Sequence, residues 1–436
     1  MRKILYLIAI FVLLKFHLSF AGRISVFCNL YHNSGINAVM EIKEITIQGE
    51  RGYQILDLKN SEISTQLPFS QTLIATGIVP SGKYNKIKIV LKKVIFEGKN
   101  LKISQKIIEL PISFELKKGD SKSLFLNWNV AESFGNVFCP RFYVSLPYKP
   151  LPGENLFVFS KDTVWIIDPN LNQVIYSFGI TGEPQGVAVD LNNNKIYVVC
   201  KKEKVIKVIN MNSFQVVEII PIPLLKIPQF IALGEEGEAL ITSPEDYMIL
   251  VMDLSTGGII SQRKLNFMPY EAYYLKSIGK FIVSSYDEGA VYLYDSNLSS
   301  ETRLTGGFRT EGFVSDGEFL YLTDTQGGVH VYILPQLQYR GKINACDSTL
   351  RGISADDKIF ITCREGKVIL ISQGGYVERT IETEGKIFAI VYLPKKKWIY
   401  VGFSEEDAIG VIDLVREKFL GKISIGGIPR ELASSD

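Results

Sequence analysis

The residue types that most often carry chemistry are scarce in this chain. Its 436 residues include three histidines (His17, His32 and His330) and five cysteines. Zinc and copper sites draw on several imidazoles or thiolates set close together, and His32 and His330 are nearly three hundred positions apart. His330 falls in an apolar run, where a packed imidazole is the expected role. No Ser-His-Asp set can be assembled. No glycine loop stands between a strand and a helix in the manner of a nucleotide site; Gly306-Gly307, Gly327-Gly328 and Gly374-Gly375 read as hairpin or loop glycines. No Cys-x-x-Cys occurs, so no redox or covalent haem motif is present and no cofactor is expected. What remains is a recurring series of polar side chains: Gln185, Gln229, Tyr270, Glu311, Arg351, Phe388 and Arg430 each stand just before or within a short apolar run. A second, acidic series runs through Asp162, Glu203, Glu245-Asp246, Asp287-Glu288, Asp324, Glu365 and Glu405-Glu406-Asp407. Groups of these kinds hold polar ligands or partners, or, around a divalent cation, activate water.

The elements that must position them repeat. Trp165-Ile-Ile-Asp168, Val208-Ile-Asn210, Val251-Met-Asp253, Leu293-Tyr-Asp295 and Val411-Ile-Asp413 end similar β-rich runs, and Ile333 and Ser372 occupy the same place in two degenerate copies. Successive anchors lie 42, 43, 42, 38, 39 and 41 residues apart. An all-β period near 40 marks a propeller with one four-stranded blade per repeat. Turn-forming Asn, Asp and Gly separate the strands, as in Leu191-Asn-Asn-Asn194 and Asp316-Gly317. Residues 155–181 provide only three strands of a first blade. Pro429-Arg-Glu-Leu-Ala433 matches Pro184-Gln-Gly-Val-Ala188, the start of an inner strand, so the C-terminal strand is predicted to complete blade one and close a seven-bladed ring.

In such a ring the polar series surrounds the mouth of the central channel, where side chains from separate blades converge. Arg351 and Arg430 there would orient an anionic ligand. The acidic series falls at hairpin tips on the same face, either simply solvated or forming a docking face. Lys395-Lys396-Lys397 reads as an ordinary turn on the opposite face.

The anchor, the Pro-x-Gly-Val-Ala lead-in and the following Lys195-Ile-Tyr-Val resemble the YVTN/NHL-type propeller family over residues 151–436. That resemblance implies fold far more than function, because the family includes surface-layer components, binding modules and a few enzymes. Thr310-Glu311-Gly312 and Leu350-Arg351-Gly352 depart from it by lacking the lead-in proline.

Residues 22–148 form a separate β-unit. Alternating runs such as Val39-Met-Glu-Ile-Lys-Glu-Ile-Thr-Ile47 predict an antiparallel sandwich. Pro80-Ser-Gly-Lys-Tyr84, Leu110–Asp120 and Leu124–Trp128 resemble a secreted bacterial and archaeal sandwich family of unknown function. Prolines at 147, 150 and 152 make residues 149–154 a stiff linker. Cys28 and Cys139, near the two ends of this unit, are candidates for a disulfide, while Cys200 and Cys363 hold equivalent positions of two repeats and read as packed thiols.

Residues 1–21 read as an export signal: Arg2-Lys3, an apolar run from Ile4 to Leu14, and Ser19-Phe-Ala21 before a cut at Ala21–Gly22. A membrane anchor fits less well, since about 20 apolar residues are needed to span a bilayer. Residues 22–150 then carry 17 basic and 10 acidic residues, and the remainder 28 and 36. The near-neutral whole lacks the cationic footprint of a nucleic-acid binder. The expected protein is all-β, exported and not integral to the membrane. It binds or scaffolds a protein or cell-envelope polymer through its propeller. A lactonase-like, metal-assisted hydrolase and a structural envelope component are the alternatives.

Overall fold

Apolar residues at every second position build the N-terminal strands, and they fold as expected into a β-rich unit. In the computed structural model, which describes residues 21–435 apart from 33, 34, 149, 151, 152, 373 and 374, these strands are β1 (Ala21–Tyr31), β2 (Ala38–Gly49), β3 (Gly52–Leu58), β4 (Glu62–Ser64), β5 (Gln71–Pro80), β6 (Gly82–Phe96), β7 (Lys99–Asn100), β8 (Ile107–Leu116), β9 (Ser121–Asn129) and β10 (Phe142–Ser145). The expected export signal falls outside the described residues except for its last position, Ala21, which opens β1 beside Gly22. The sheet runs β10-β9-β1-β5-β3-β2-β6-β7, with β4 on β2 and β8 on β6. It is one continuous sheet, because β3 pairs with both β2 and β5. Its halves share one core, in which Ile24, Val26 and Trp128 meet Met40, Ile45, Ile87 and Ile89. The unit is not wholly antiparallel: β9 runs parallel to β1, with Arg23 opposite Ser121. The short link 117–120 carries the chain from β8 in one half to β9 in the other, and β9 arrives in the direction of β1.

One expectation about this unit is corrected. Cys28 and Cys139 are both free. Cys28 is directed into the core, where burial raises its thiol pKa, while Cys139 lies in the segment after β9, its N–H donating to Ser133 O at 2.9 Å. Three lysines of β6 are paired with acids of neighbouring strands: Lys86 meets Glu109 at 2.9 Å, Lys92 meets Glu41 at 2.5 Å and Lys88 meets Glu44 at 3.8 Å.

The remaining strands form seven four-stranded sheets. Their inner strands, in blade order one to seven, are Glu431–Ser434, Pro184–Asp190, Phe230–Leu233, Pro269–Leu275, Phe313–Ser315, Thr349–Ala355 and Ile387–Leu393. The C-terminal strand closes the ring as predicted: Leu156, Phe157, Val158 and Phe159 pair antiparallel with Ser434, Ala433, Leu432 and Glu431. The repeated acid at the end of each third strand has a local cause. Asp168 accepts the Asn170 N–H at 2.8 Å, Asp253 that of Ser255 at 2.8 Å, Asp295 that of Ser299 at 2.8 Å, and Asp413 that of Val415 at 2.9 Å. Asn210 does the same for Ser213 at 2.8 Å. Each side chain caps the turn into the fourth strand.

By packing, the chain divides into two units that do not follow the expected linear boundary. The N-terminal sheet groups with Asp162–Ile180 and Lys422–Gly426, and the rest of the propeller forms the second unit. Within the first unit Phe27 packs edge-on to Trp165, Arg23 pairs with Asp162 at 2.8 Å, and Gln71 accepts the Val174 N–H at 2.8 Å.

Candidate functional site

Four of the seven inner strands begin with an irregularity that shifts which side chain faces the axis. In blades two, four, six and seven the pairing with the second strand skips two residues: Gln185-Gly186, Tyr270-Glu271, Leu350-Arg351 and Phe388-Ala389. Such a bulge frees backbone N–H groups, and the second strand supplies hydroxyls for them. Glu271 N–H donates to Ser284 Oγ at 3.1 Å, Gly312 N–H to Thr323 Oγ1 at 2.8 Å and Arg351 N–H to Thr362 Oγ1 at 3.0 Å.

The bulge corrects the predicted ring. Arg351 does not align with Gln185, Tyr270 and Phe388 but one residue later, with Gly186, Glu271 and Ala389; by the same lead-in motif it aligns with Phe230, Gly312 and Glu431. Glycine or alanine at three of these seven places clears the axis. Gly186 and Gly312 are also demanded by the neighbouring inner strand, since an added Cβ would lie 2.7 Å from Gln229 O and 2.3 Å from Leu350 O respectively. Arg351 therefore reaches across from blade six. Its Nη1 stands 2.7 Å from Glu271 Oε2 of blade four and its Nη2 donates to Glu431 Oε1 of blade one at 3.0 Å. Its guanidinium lies over the rings of Phe230, at 5.9 Å, and Phe388, at 5.0 Å. It is an ion-pair hub and not the open anion anchor that sequence suggested.

Glu311 is 3% exposed and accepts Arg309 Nε at 3.3 Å, and Arg309 covers the Tyr286 ring at 4.5 Å. Tyr270 packs against Phe230 and Tyr286 at 4.8 and 5.3 Å. Arg430 sits apart, against Glu183 at 3.5 Å and Pro184 O at 3.3 Å. Gln185 and Gln229 are half-buried at the starts of their strands. The structure thus unites Tyr270, Glu311, Arg351 and Phe388 and adds Phe230, Glu271, Tyr286, Arg309 and Glu431, which sequence reasoning missed. Glu271 and Glu431 adjoin predicted residues and were legible only to someone who knew of the bulge.

Three carboxylates share this cluster with two guanidiniums. Burial, reinforced by Glu431 and Glu311 and opposed by Arg351, pushes Glu271 up to about 8. Burial also raises Glu431. Glu271 Oε2, in ion contact with Arg351 Nη1 at 2.7 Å, and Arg351 Nε are both buried.

On the other side of Arg351 the axis is hollow. A chamber of about 330 Å³ runs from Glu271 and Arg351 past Ala188, Ala232, Ala272 and the stacked pair Tyr273–Phe313 to Val189, Leu233 and Tyr274. Its lining runs along the inner strands, from Val187 to Val189, Ile231 to Leu233 and Glu271 to Tyr274. The chamber therefore opens at the ends of the inner strands, opposite the predicted mouth. There it meets a groove of about 630 Å³ between blades two and three, which shares Val189 and Leu233 and includes Asp190, Glu235, Glu238 and Lys276.

The acidic hairpin tips are mostly engaged. Asp246 accepts the Lys226 N–H at 2.6 Å, Asp287 that of Met268 at 3.0 Å, Asp324 that of Phe308 at 3.0 Å and Glu365 that of Asp347 at 3.2 Å. Each ties the segment entering its blade to the blade's own hairpin. In blade six a disulfide, Cys346–Cys363, adds a second tie, with Cα atoms 6.3 Å apart. This corrects the reading of Cys363 as a packed thiol; Cys200 is buried and free, and burial pushes it up to about 12. His330 is packed, its Nδ1 3.2 Å from Tyr339 Oη and its Nε2 3.5 Å from Asp324. Exposed His32 stands in the N-terminal unit.

No protein-family model matches the chain, and no curated protein matches it in sequence. Solved structures do. A functionally unknown protein from Desulfotomaculum acetoxidans DSM 771 superposes with a TM-score of 0.57 at 9% identity, covering 65% of this chain and 99% of that one. The dihydro-heme d1 dehydrogenase NirN, solved in complex with DHE, gives 0.51 at 14% identity, covering 64% of this chain and 66% of NirN, just under two thirds of its length. At these identities the likeness shows the propeller fold alone. Among the described residues no helix is long and apolar enough to cross a membrane.

Proposed function

We propose that this chain is an exported binding or scaffold protein of the YVTN/NHL-type propeller class, which holds a group of its ligand or partner in the axial chamber without transforming it. The observation that carries this reading is the chamber itself: a recess floored by a buried charged cluster and walled by inner strands from separate blades. Recesses with a few converging polar groups are where proteins hold ligands. Export is supported by Arg2-Lys3, the Ile4–Leu14 run and Ser19-Phe-Ala21. A metal-assisted hydrolase is less well supported, because Glu271, Glu311 and Glu431, the carboxylates nearest the axis, face Arg351 and Arg309.

The test is a thermal-shift and calorimetric screen of small polar compounds against the full chain and Val189→Trp, which places a large ring at the chamber rim. Saturable binding that Val189→Trp abolishes, with the compound recovered unchanged, supports the reading. Turnover that Val189→Trp abolishes would make the chamber an active site, and binding indifferent to the substitution would place the site elsewhere.

A further inference from the structure

The chamber's floor and walls favour one chemistry over the others. We infer that the axial chamber receives an aliphatic ammonium group, with Glu271 as its anionic acceptor and Tyr273 and Phe313 as its aromatic wall. This rests on the chamber being the binding site.

Four observations lead there. The floor cluster holds three carboxylates, Glu271, Glu311 and Glu431, against Arg351 and Arg309, so once Glu271 is ionised, above its raised pKa of about 8, one negative charge lacks a cationic counterpart. Glu271 is 7% exposed and lines the chamber, with one carboxylate oxygen 2.7 Å from Arg351 Nη1. An ammonium has three donors to offer such an acceptor, and a charge-assisted hydrogen bond is about twice as strong as a neutral one. The stacked rings of Tyr273 and Phe313, 5.9 Å apart, give an entering cation a π surface. The rim is acidic as well, with Asp190, Glu235 and Glu238 against Lys276 in the adjoining groove, a field that draws cations inward and repels anions.

The same geometry argues against a bare metal ion. Among the described residues, the carboxylates of Glu271, Glu311 and Glu431 do not gather closely enough to share one ion; the single group of ligand-type side chains that does is Cys346, Cys363 and Glu365, whose two sulfurs are bonded to each other. A cation carried on a carbon chain needs only one such acceptor and uses the small-residue walls of Ala188, Ala232 and Ala272 for its methylenes. An anion would have to displace Glu271 and Glu431 from Arg351.

The probes are putrescine and spermidine, with 1,4-butanediol and glutarate as neutral and anionic controls, measured by calorimetry on the full chain at low ionic strength and pH 8.5. Both amines are expected to bind and both controls to fail. Glu271→Gln, which keeps the shape, should weaken both amines by about tenfold or more, the loss of one charged hydrogen bond. The double rim variant Asp190→Asn/Glu235→Gln leaves the floor untouched and should weaken spermidine more than putrescine. Glutarate binding in place of the amines, or amine affinity unchanged in Glu271→Gln, overturns the inference. If the amines fail while another compound is lost in Val189→Trp, the ammonium assignment falls and the chamber stands as the site. If amine binding is indifferent to Val189→Trp, both fall.

Discussion

Replacing Arg351 by Met should destabilise the propeller, and do so more at high pH than at low. Among the described residues the arginine is the only guanidinium in ion contact with Glu271 and Glu431, at 2.7 and 3.0 Å. Methionine keeps most of the volume and removes the charge. Breaking a buried pair by deleting one partner costs roughly 3–5 kcal/mol. Glu271, pushed up to about 8, is already largely protonated at pH 7, so a cost at the lower end of that range, about 3 kcal/mol, is expected. At roughly 2–4 °C per kcal/mol for a domain of this size, Tm falls by roughly 6–12 °C. The sign with pH follows from the raised carboxyls. A folded-state pKa above the unfolded value means that the folded protein holds protons the unfolded chain has released. The associated stability is present below about pH 4.5 and lost as pH rises through the folded value. Without Arg351 both glutamates rise further, so the deficit against the parent should be small at pH 5 and largest near pH 8.5. Circular-dichroism melts of parent, Arg351→Met and Arg351→Met/Glu431→Gln across that range measure it, and the double variant should recover part of the loss. A deficit below 1 kcal/mol at pH 8, or a larger one at pH 5, would refute the argument.

Amine binding should strengthen as pH rises from 6 toward 8.5, because the ionised fraction of Glu271 grows up to about tenfold per unit below its pKa near 8; Arg351, Arg309, Glu311, Glu431, Tyr270 and Tyr273 share its surroundings, and a flat calorimetric profile would deny Glu271 the acceptor role. Reducing Cys346–Cys363, which spans a separation of 17 residues, should cost roughly 3 kcal/mol by loop entropy and lower the denaturant midpoint, whereas Cys200→Ser should leave the effect of reductant unchanged. Deleting residues 426–436 removes the strand that covers Leu156, Phe157, Val158 and Phe159, all fully buried, and should convert the protein to an aggregating form; an unchanged melting temperature would show that the ring closes without that strand.

Repetition made the propeller legible in one dimension. Five of the seven blades cap the same turn, so Asp168, Asn210, Asp253, Asp295 and Asp413 recur at a period near 40, and the unpaired fragment at 155–181 required a partner that Pro429–Ala433 visibly matched. Local rules of this kind act within a few residues of chain and leave their mark there. The floor of the chamber obeys no local rule. Arg351 meets Glu431 across 80 positions, and which neighbour of Tyr270 faces the axis depends on a backbone bulge that shifts the alternation by one residue. The acids at the hairpin tips look solvated in sequence, yet their partners are backbone N–H groups of incoming loops, which no side-chain pattern announces. Cysteine pairing is decided likewise: Cys28 and Cys139 end in different surroundings of one unit, while Cys346 and Cys363 meet because a connecting loop returns to its own hairpin. Residue order alone determined the strands, their number and the closure of the ring. Only the tertiary structure decided which side chains face one another across the axis and which end of it is open, because convergence in space is a property of seven blades together and of none singly.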